Sequence, residues 1–344
     1  MKYHLRINLI LFLLLIFQGY ANGQGKSELP LFSESQPLEM RLSFSSKDLK
    51  KEKADSVYFP SIMHYKIPGG SWDSIKVDIR ARGNFRRNQC FFPPIRVKIK
   101  KKDGNGTVFE GNKALKLVVP CKNAKADNDQ IVKEYMCYKM NEQVSPFFFS
   151  TRAVNLILTD ESTKNPKSYE VKAFLIEDDD LVAERAGGKI AGGRQILPGR
   201  LQEIAAVQVD FFQFMIANTD WSAVAQHNIK IIQMPTNDFV PVAYDFDMSG
   251  IVNSYYSTTS EMLNISSVRE RLYRGFCRSE AAMQQVRQEY LAAESNIMQV
   301  VNGFESELGP KEVSDIKKYM EDFFAILKSD KLFSEQILSK CRTN

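Results

Sequence analysis

The chain has 344 residues, of which 44% are hydrophobic, and this suits one large domain or two lobes around a cleft. Its formal net charge of +5 is too small to indicate a nucleic-acid partner. No stretch beyond the N-terminal signal-like residues reaches the roughly 18 unbroken apolar residues of a transmembrane helix, so we expect no membrane-spanning segment in the mature chain.

The N-terminal residues have the pattern of a secretory signal peptide. Two cations precede an apolar run over residues 7–17, and small residues follow up to Gly23. This order of charged, apolar and small residues predicts a signal peptide over residues 1–23, cleaved near Gly23, and a secreted or periplasmic protein. The polar residues 24–39 are expected to form a flexible lead-in.

The mature chain has five cysteines, an odd number for an exported protein, so at least one lacks an intramolecular partner. Cys90 and Cys121 lie at the ends of neighbouring predicted strands, and Cys277 lies in a predicted loop. We expect a disulfide among these three and leave the pairing open. Cys137 falls within a predicted helix and is expected to be buried.

Alternating apolar and polar residues predict a strand-rich region over residues 40–180. The strands are predicted at 40–44, 74–81, 95–99, 114–119, 152–158 and 169–176. A polar loop over residues 84–89 joins the second of these strands to the third. A helix is predicted from Asp129, as its N-cap, to about Val144.

We place a lobe boundary at the acidic residues 177–180. Beyond it, most apolar residues recur at the spacing of a helix. An apolar helix is expected over residues 200–217, followed by a hairpin of two short strands around a Pro-Thr-Asn-Asp turn. Pro310 begins a helix whose apolar stripe is expected to be core. The pattern predicts an α+β chain with a strand-rich N-lobe over 40–180 and a mainly helical C-lobe over 181–344.

Polar residues cluster around the predicted hairpin. Asp220 precedes its first strand, His227 and Asn228 enter that strand, and Asp245 and Asp247 follow the second strand. A hairpin brings these ends together, and hard oxygen ligands suit Mg²⁺ or Mn²⁺. We interpret Asn228, Asp245 and Asp247 as a metal site and Asp220 as a catalytic base. The alternative is that the carboxylates only cap turns and a helix.

Three further residues are candidates for holding nucleotide phosphates. Lys116 lies in a strand before the helix that carries Glu134, and Arg82 lies in a loop with one glycine. A lysine with a glutamate can position phosphates, and arginine can bind them with two hydrogen bonds. The alternatives are Lys98 as the positioning lysine, surface positions for Lys116 and Glu134, and a cationic hairpin tip around Arg82.

Zinc hydrolysis and serine-triad chemistry have little support in this sequence. Only three histidines occur, and neither His-Glu-x-x-His nor Gly-x-Ser-x-Gly is present.

The order of the motifs resembles that of CotH-type spore-coat and secreted protein kinases and, more distantly, HipA-like and secretory-pathway atypical kinases. The resemblance covers about residues 75–250. It rests on Arg82-Gly83-Asn84, the helix over 129–144, Asn218-Thr219-Asp220, His227-Asn228 and Tyr244-Asp245-Phe246-Asp247.

This resemblance implies a two-lobed atypical protein-kinase-like fold. It also implies that Asp220 is the catalytic base, that Asn228 and Asp245 bind the metal, and that Lys116 positions phosphate. The chain is also similar to a group of exported bacterial proteins without a settled function. These share Arg-Arg-x-x-Cys-x-Phe-Pro-Pro at 86–94 and Asp-Phe-Asp-x-Ser-Gly at 245–250.

Three functional hypotheses follow. The first is an exported kinase that transfers a phosphoryl group from ATP or another nucleotide, with Mg²⁺ or Mn²⁺, to a hydroxyl of a protein or cell-envelope polymer. The second is a catalytically inactive kinase-like binding module of the cell envelope, because Asp247 replaces the usual glycine and nucleotide is scarce outside the cytoplasm. The third is a cation-dependent phosphoesterase that uses Asp245 and Asp247.

Overall fold

The computed structural model describes residues 29–83, 85–193 and 195–343. The predicted signal peptide lies outside these ranges. Within them, no helix combines the length and the apolar character needed to cross a membrane.

Seven strands form a closed barrel. They are β1 (Leu38–Phe44), β2 (Phe59–Lys66), β3 (Trp72–Ala81), β4 (Ile95–Ile99), β5 (Ala114–Val118), β6 (Thr151–Asp160) and β7 (Lys167–Ile176). Their order around the barrel is β1-β2-β3-β4-β5-β7-β6. The strand pair β1–β6 is parallel and closes the barrel, whereas the other pairs are antiparallel. Alternate side chains of each strand point inward and form one apolar core.

The closed mixed barrel with its attached helices contradicts the predicted two-lobed atypical protein-kinase-like fold with a strand-rich N-lobe and a mainly helical C-lobe. That prediction was wrong because alternation locates strands but does not say which strands pair. Here Leu38 pairs with Val154 and Phe44 with Asp160, far later in the chain. Such a distant pairing leaves no trace in local periodicity.

The predicted strands coincide with barrel strands to within a few residues, but β2 was missed. Burial alternates along β2, with Met63 and Tyr65 buried, but the sequence does not show this, because the apolar Ile62 lies on the exposed face beside Met63. Pro60, near the start of β2, also disfavours a strand prediction, because proline has no N–H to donate to a neighbouring strand.

Helices and a second small sheet account for most of the remaining regular structure. The α-helices are α1 (Ser46–Lys51), α2 (Phe85–Gln89), α3 (Lys101–Gly104), α4 (Lys125–Asn141), α5 (Asp179–Arg185), α6 (Glu203–Met215), α7 (Glu280–Asn302), α8 (Glu305–Leu308), α9 (Pro310–Lys328) and α10 (Asp330–Gln336). The second sheet has the order β10-β9-β8, and its strands are β8 (Lys189–Ile190), β9 (Ile229–Gln233) and β10 (Phe239–Ala243).

Two helix predictions have different outcomes. Pro310 occupies the first turn of α9, and the apolar stripe of that helix is buried, as predicted. Asp129 is not the N-cap of α4, because the helix begins at Lys125 after Ala124. Asp129 lies one turn inside the helix, and its carboxylate is 2.6 Å from Lys125 Nζ.

A second apolar core joins α4, α6, α7 and α9 to the β9–β10 hairpin. Phe246, just after β10, is fully buried in this core, with its ring centroid 4.7 Å from that of Tyr138 and 5.2 Å from that of Phe212. The hairpin is thereby fixed against α4 and α6 by aromatic packing.

The described part of the predicted lead-in, residues 29–39, packs against the strands, and its last two residues begin β1. Leu31 and Phe32 are buried. The guanidinium of Arg152 donates hydrogen bonds to the carbonyl oxygens of Leu31, at 3.3 Å, and Glu34, at 2.5 Å.

The disulfide expected among three cysteines is confirmed as Cys90–Cys121. Cys137 is buried in α4 and free, as expected. A second disulfide joins Cys277 to Cys341 and was not predicted.

Candidate functional site

The β9–β10 hairpin places Asn228 and Asp245 side by side. Ile229 pairs with Ala243, and the N–H of Tyr244 donates to the carbonyl oxygen of Asn228 at 3.1 Å. Asn228 and Asp245 have φ values of 52° and 63°, in the left-handed region that asparagine and aspartate adopt more readily than most residues. The structure therefore brings these two candidate metal ligands together.

Asp220 lies next to this pair and is held by two neighbours. Asn228 Nδ2 donates to Asp220 Oδ2 at 3.0 Å and to the Asp220 carbonyl oxygen at 2.7 Å. His227 Nε2 lies 2.9 Å from Asp220 Oδ1. The Asp220 side chain is 41% exposed, so its carboxylate is both oriented and accessible. His227 was part of the sequence motif, but its contact with Asp220 was not foreseen.

Asp247 lies deeper and is buried. The Tyr256 hydroxyl donates to Asp247 Oδ2 at 3.0 Å, and Arg86 Nη1 lies 3.9 Å from the same oxygen. Burial, and next the negative charge of Asp245, raise the pKa of Asp247 to about 6. Loss of solvent is thus the main reason why the charged form of Asp247 is disfavoured, and Arg86 and Tyr256 offset it only in part.

Glu134 on α4 is the most deeply buried carboxylate of the group, with 1% of the residue exposed. Its Oε1 has no hydrogen-bond partner among the described residues. Burial, and next the charge of Asp247, raise the pKa of Glu134 well above its usual range, although Arg86 opposes this. One turn further along α4, the Tyr138 hydroxyl accepts the Asp245 N–H at 2.9 Å. Helix α4 therefore supplies two side chains to the cluster.

Arg86 on α2 is a buried cation beside Asp247, and the sequence prediction did not select it. Residues 84–89 were predicted as a polar loop, yet α2 begins at Phe85 and buries Arg86 and Arg87. Arg86 Nη2 also donates to the Val119 carbonyl oxygen. Burial alone would lower the pKa of Arg86, but surrounding groups, Tyr256 and Asp247 foremost, raise it. The Arg-Arg pair before Cys90 was the available signal.

Arg82, the arginine chosen from sequence, lies near enough to Glu134 and to Lys116 for its charge to affect the pKa of each. Its charge lowers the pKa of both Glu134 and Lys116, which shows that it acts on both. Its buried Nε has no hydrogen-bond partner in the described ranges. The adjacent Gly83 has a φ of 74°, which glycine adopts without strain.

Lys116 is buried in β5, but it pairs with Asp179 at the start of α5 rather than with Glu134. Its Nζ also lies 4.5 Å from the Phe149 ring centroid and 4.9 Å from that of Tyr244. Burial lowers the pKa of Lys116 to about 8, although Asp179 opposes this. Lys98, the rival, is exposed.

Lys116 is one member of a row of three cations across neighbouring strands. Arg80 on β3 pairs in register with Arg96 on β4, which pairs in register with Lys116 on β5. Like charges directly opposite one another are destabilising in a sheet. Each cation has its own carboxylate, and these are Asp55 for Arg80, Asp178 for Arg96 and Asp179 for Lys116.

The carboxylates do not form a dedicated metal cage. Over the described ranges, no group of three or more His, Cys, Asp or Glu side chains is arranged to hold a metal ion. The cluster still has features that fit a cation, because Glu134 Oε1 lacks a partner and the pKa of Asp247 is raised. Asn228 Nδ2 donates a hydrogen bond to Asp220, so Asn228 Oδ1 is the side-chain atom that can coordinate a cation.

No protein-family model matches the chain, and no curated protein matches it at a significant level. The resemblance to CotH-type kinases therefore stays a prediction.

Proposed function

We propose that the chain is an exported, metal-dependent phosphotransferase. It transfers a phosphoryl group from ATP or another nucleotide to a hydroxyl of a protein or cell-envelope polymer. The observation that carries this proposal is the convergence of the accessible carboxylate of Asp220 with the carboxylates of Asp245, Asp247 and Glu134. A divalent cation that also holds nucleotide phosphates would stabilise the ionised form of these carboxyl groups.

Asn228, Asp245 and Asp247 are the residues that would hold the cation. Mg²⁺ in nucleotide sites is commonly bound by one or two carboxylates together with substrate phosphates, so a cage of three carboxylates is not required. When bound, the cation supplies charge neutralisation at the phosphates. Glu134 adds a buried carboxyl group next to Asp247, and a bound cation would favour the ionised form of that carboxyl.

Asp220 is the base of the proposed reaction. It accepts the proton of the acceptor hydroxyl as that oxygen bonds to the γ-phosphorus, while the bond from the γ-phosphorus to the β,γ-bridging oxygen breaks and the nucleoside diphosphate leaves. Asn228 and His227 fix the two carboxylate oxygens, so the base is held in one orientation before the acceptor arrives.

The cations of the site act on the phosphates. Arg86 and Arg82 lie beside the carboxylates, and a guanidinium can donate two parallel hydrogen bonds to a phosphate. Lys116 is less direct, because its ammonium is already engaged by Asp179.

Export is the proposed setting of this reaction. The charged, apolar and small residues at the N-terminus fit a secretory signal. Cys90–Cys121 and Cys277–Cys341 are consistent with an oxidising compartment, since disulfides are rare in the reducing cytosol.

The test combines binding with transfer. ATP with Mn²⁺ should raise the melting temperature of the mature protein, because a ligand that binds the native state stabilises it. Asp245→Asn should remove this increase, whereas Asp220→Asn should retain it. Transfer of labelled γ-phosphate to a panel of hydroxyl-bearing peptides and polysaccharides should fall at least a hundredfold in Asp220→Asn.

A matched control is Asp315→Asn, at an exposed position on α9. It should behave as the wild type in both assays. Absence of cation-dependent nucleotide binding by the wild type would remove the basis of the proposal. If the wild type binds nucleotide but transfers no phosphate, and Asp220→Asn binds nucleotide equally well, the chain would instead be a catalytically inactive binding module.

A further inference from the structure

An aromatic surface, formed by Phe85, Phe91, Tyr255 and Tyr256, lies beside the carboxylate cluster. Phe85, Phe91 and Tyr255 are 52%, 44% and 54% exposed. The Tyr256 ring centroid lies 5.8 Å from that of Phe85 and 5.1 Å from that of Tyr255. Large apolar side chains usually leave the surface on folding, so several exposed together mark an interaction surface.

The Cys90–Cys121 disulfide holds this surface in place. The Tyr255 hydroxyl donates to Cys121 Sγ at 3.0 Å, and the Phe91 N–H donates to the Cys121 carbonyl oxygen at 2.8 Å. Cys90 follows α2 directly, so the same disulfide also anchors the helix that begins with Phe85. Rings that are already ordered lose little freedom when a partner binds.

Two lysines flank the aromatic surface. Lys122 Nζ lies 4.4 Å from the Tyr255 ring centroid, and Lys50 Nζ lies 5.9 Å from that of Phe91. Lys50 also donates to the carbonyl oxygens of Cys90 and Phe91. Neither lysine forms a salt bridge within the described part of the chain. Their positive charge therefore remains available to a partner.

The aromatic surface is continuous with the candidate site. Tyr256 belongs to both, because its hydroxyl donates to Asp247 Oδ2 at 3.0 Å. Phe85 directly precedes Arg86, which reaches the same carboxylate. A molecule bound across the rings would therefore extend to the carboxylates.

We propose that the aromatic surface binds an acidic polypeptide segment, which carries the hydroxyl acceptor of the phosphoryl transfer. The acceptor role rests on the proposed function, whereas the binding does not. Aromatic residues are enriched at the centres of protein-binding surfaces, with charged groups at the rim. Unneutralised lysines at that rim select a partner of negative charge.

The arrangement of the rings favours a polypeptide over a stack of sugars or bases. The Tyr255 and Tyr256 rings meet at 82°, and the Phe85 and Tyr256 rings at 47°. Parallel rings would offer a flat platform for successive flat groups. Inclined rings instead make separate facets, each of which fits one side chain.

The experiment measures fluorescence anisotropy of a labelled twelve-residue peptide of Glu, Ser and Phe, with a second peptide in which Lys replaces Glu. The acidic peptide should bind the wild type at least tenfold more tightly than the basic one. Tyr255→Ala and Lys122→Glu should each weaken its binding at least tenfold. Both residues are exposed, and a thermal melt of each variant verifies that it folds.

Trp72→Ala is the matched control. Trp72 is also an exposed ring on the barrel, and the Arg41 guanidinium lies 4.0 Å from its centroid, but it has no part in the aromatic surface. This variant should bind the acidic peptide as the wild type does.

Equal binding of both peptides, or wild-type affinity in folded Tyr255→Ala, would overturn the proposal. Tighter binding of an acidic polysaccharide such as alginate than of the acidic peptide would also overturn it. Asp220→Asn should bind the peptide normally, which separates the two proposals. If the peptide binds but receives no phosphate, only the proposed function is refuted. If Tyr255→Ala transfers phosphate to the peptide as well as the wild type does, only the role of the aromatic surface in binding the acceptor is refuted.

Discussion

Asp179 forms ion pairs with Lys116 of the barrel strand β5 and, at 3.0 Å, with Lys230 of the β9–β10 hairpin. One carboxylate thus connects the barrel to the strands that carry the candidate site. Burial alone would raise the pKa of Asp179, but Lys116 and Lys230 more than offset this and lower it to about 2. Residues 177–180, placed at a lobe boundary from sequence, therefore hold barrel and hairpin together.

Removing Asp179 should lower the free energy of unfolding more than removing Lys116, its partner in the ion pair. Asp179→Asn leaves the buried ammonium without a carboxylate, so we expect a loss of about 3 kcal/mol or more in the free energy of unfolding. Lys116→Met keeps a side chain of similar length and leaves Asp179 paired with Lys230, so a loss below about 1.5 kcal/mol is expected. Urea unfolding measures both, and equal losses would contradict this account.

Asp210 on α6 should make the stability depend on pH. Burial raises the pKa of Asp210 to about 7, although Arg278 and Arg342 oppose this. The native state therefore keeps the Asp210 proton up to about pH 7, whereas the unfolded chain releases it near pH 4. The contribution of Asp210 to stability is thus complete below about pH 4 and is lost as the pH rises to about 7, by about 3–4 kcal/mol.

Asp210→Asn should flatten this part of the profile, because the amide cannot lose a proton. Denaturant unfolding between pH 4 and pH 8 would measure the slope in both proteins. Asp315→Asn, at an exposed position on α9, should leave the wild-type slope unchanged. A parallel profile in Asp210→Asn would show that another group is responsible.

Gly250 should not tolerate a side chain. A Cβ at this position would lie 2.3 Å from the Val268 carbonyl oxygen and 2.9 Å from Ala217 Cβ. The Gly250 N–H also donates to the Ala217 carbonyl oxygen at 3.0 Å, so the loop after Asp247 is closely packed on the end of α6. We expect Gly250→Ala to lower the free energy of unfolding by about 2–3 kcal/mol.

Gly192→Ala is the control, because a Cβ there would meet nothing within 4 Å. Its effect on urea unfolding should stay within about 0.5 kcal/mol. If Gly250→Ala were equally neutral, the backbone around Val268 would have to move away without cost.

The site was predictable where it depends on local geometry. Asn228 and Asp245 come together because a short turn joins β9 to β10, and such a hairpin is evident in the sequence. Arg86 was not predictable in the same way. Arg86 is buried beside Asp247 and the Val119 carbonyl oxygen, both distant in sequence, whereas arginine is usually a surface residue.

The barrel shows the same limit. Strands β3 and β4 were predicted because apolar and polar residues alternate along each of them. The position of β1 in the barrel was not predicted. β1 pairs in parallel with β6, and a pairing across so much intervening chain has no local signature in the sequence. Cys341 likewise lies near the C-terminus, and only the folded chain shows that it meets Cys277.

The pairing of β1 with β6 also determines the order of events during biosynthesis. β1 leaves the ribosome early, but its parallel partner is complete only after Asp160 has been added. Until then one edge of β1 exposes unpaired N–H and C=O groups, which can pair with another nascent chain. Barrel closure is therefore a late step, and the edge of β1 stays open to intermolecular pairing until β6 has been made.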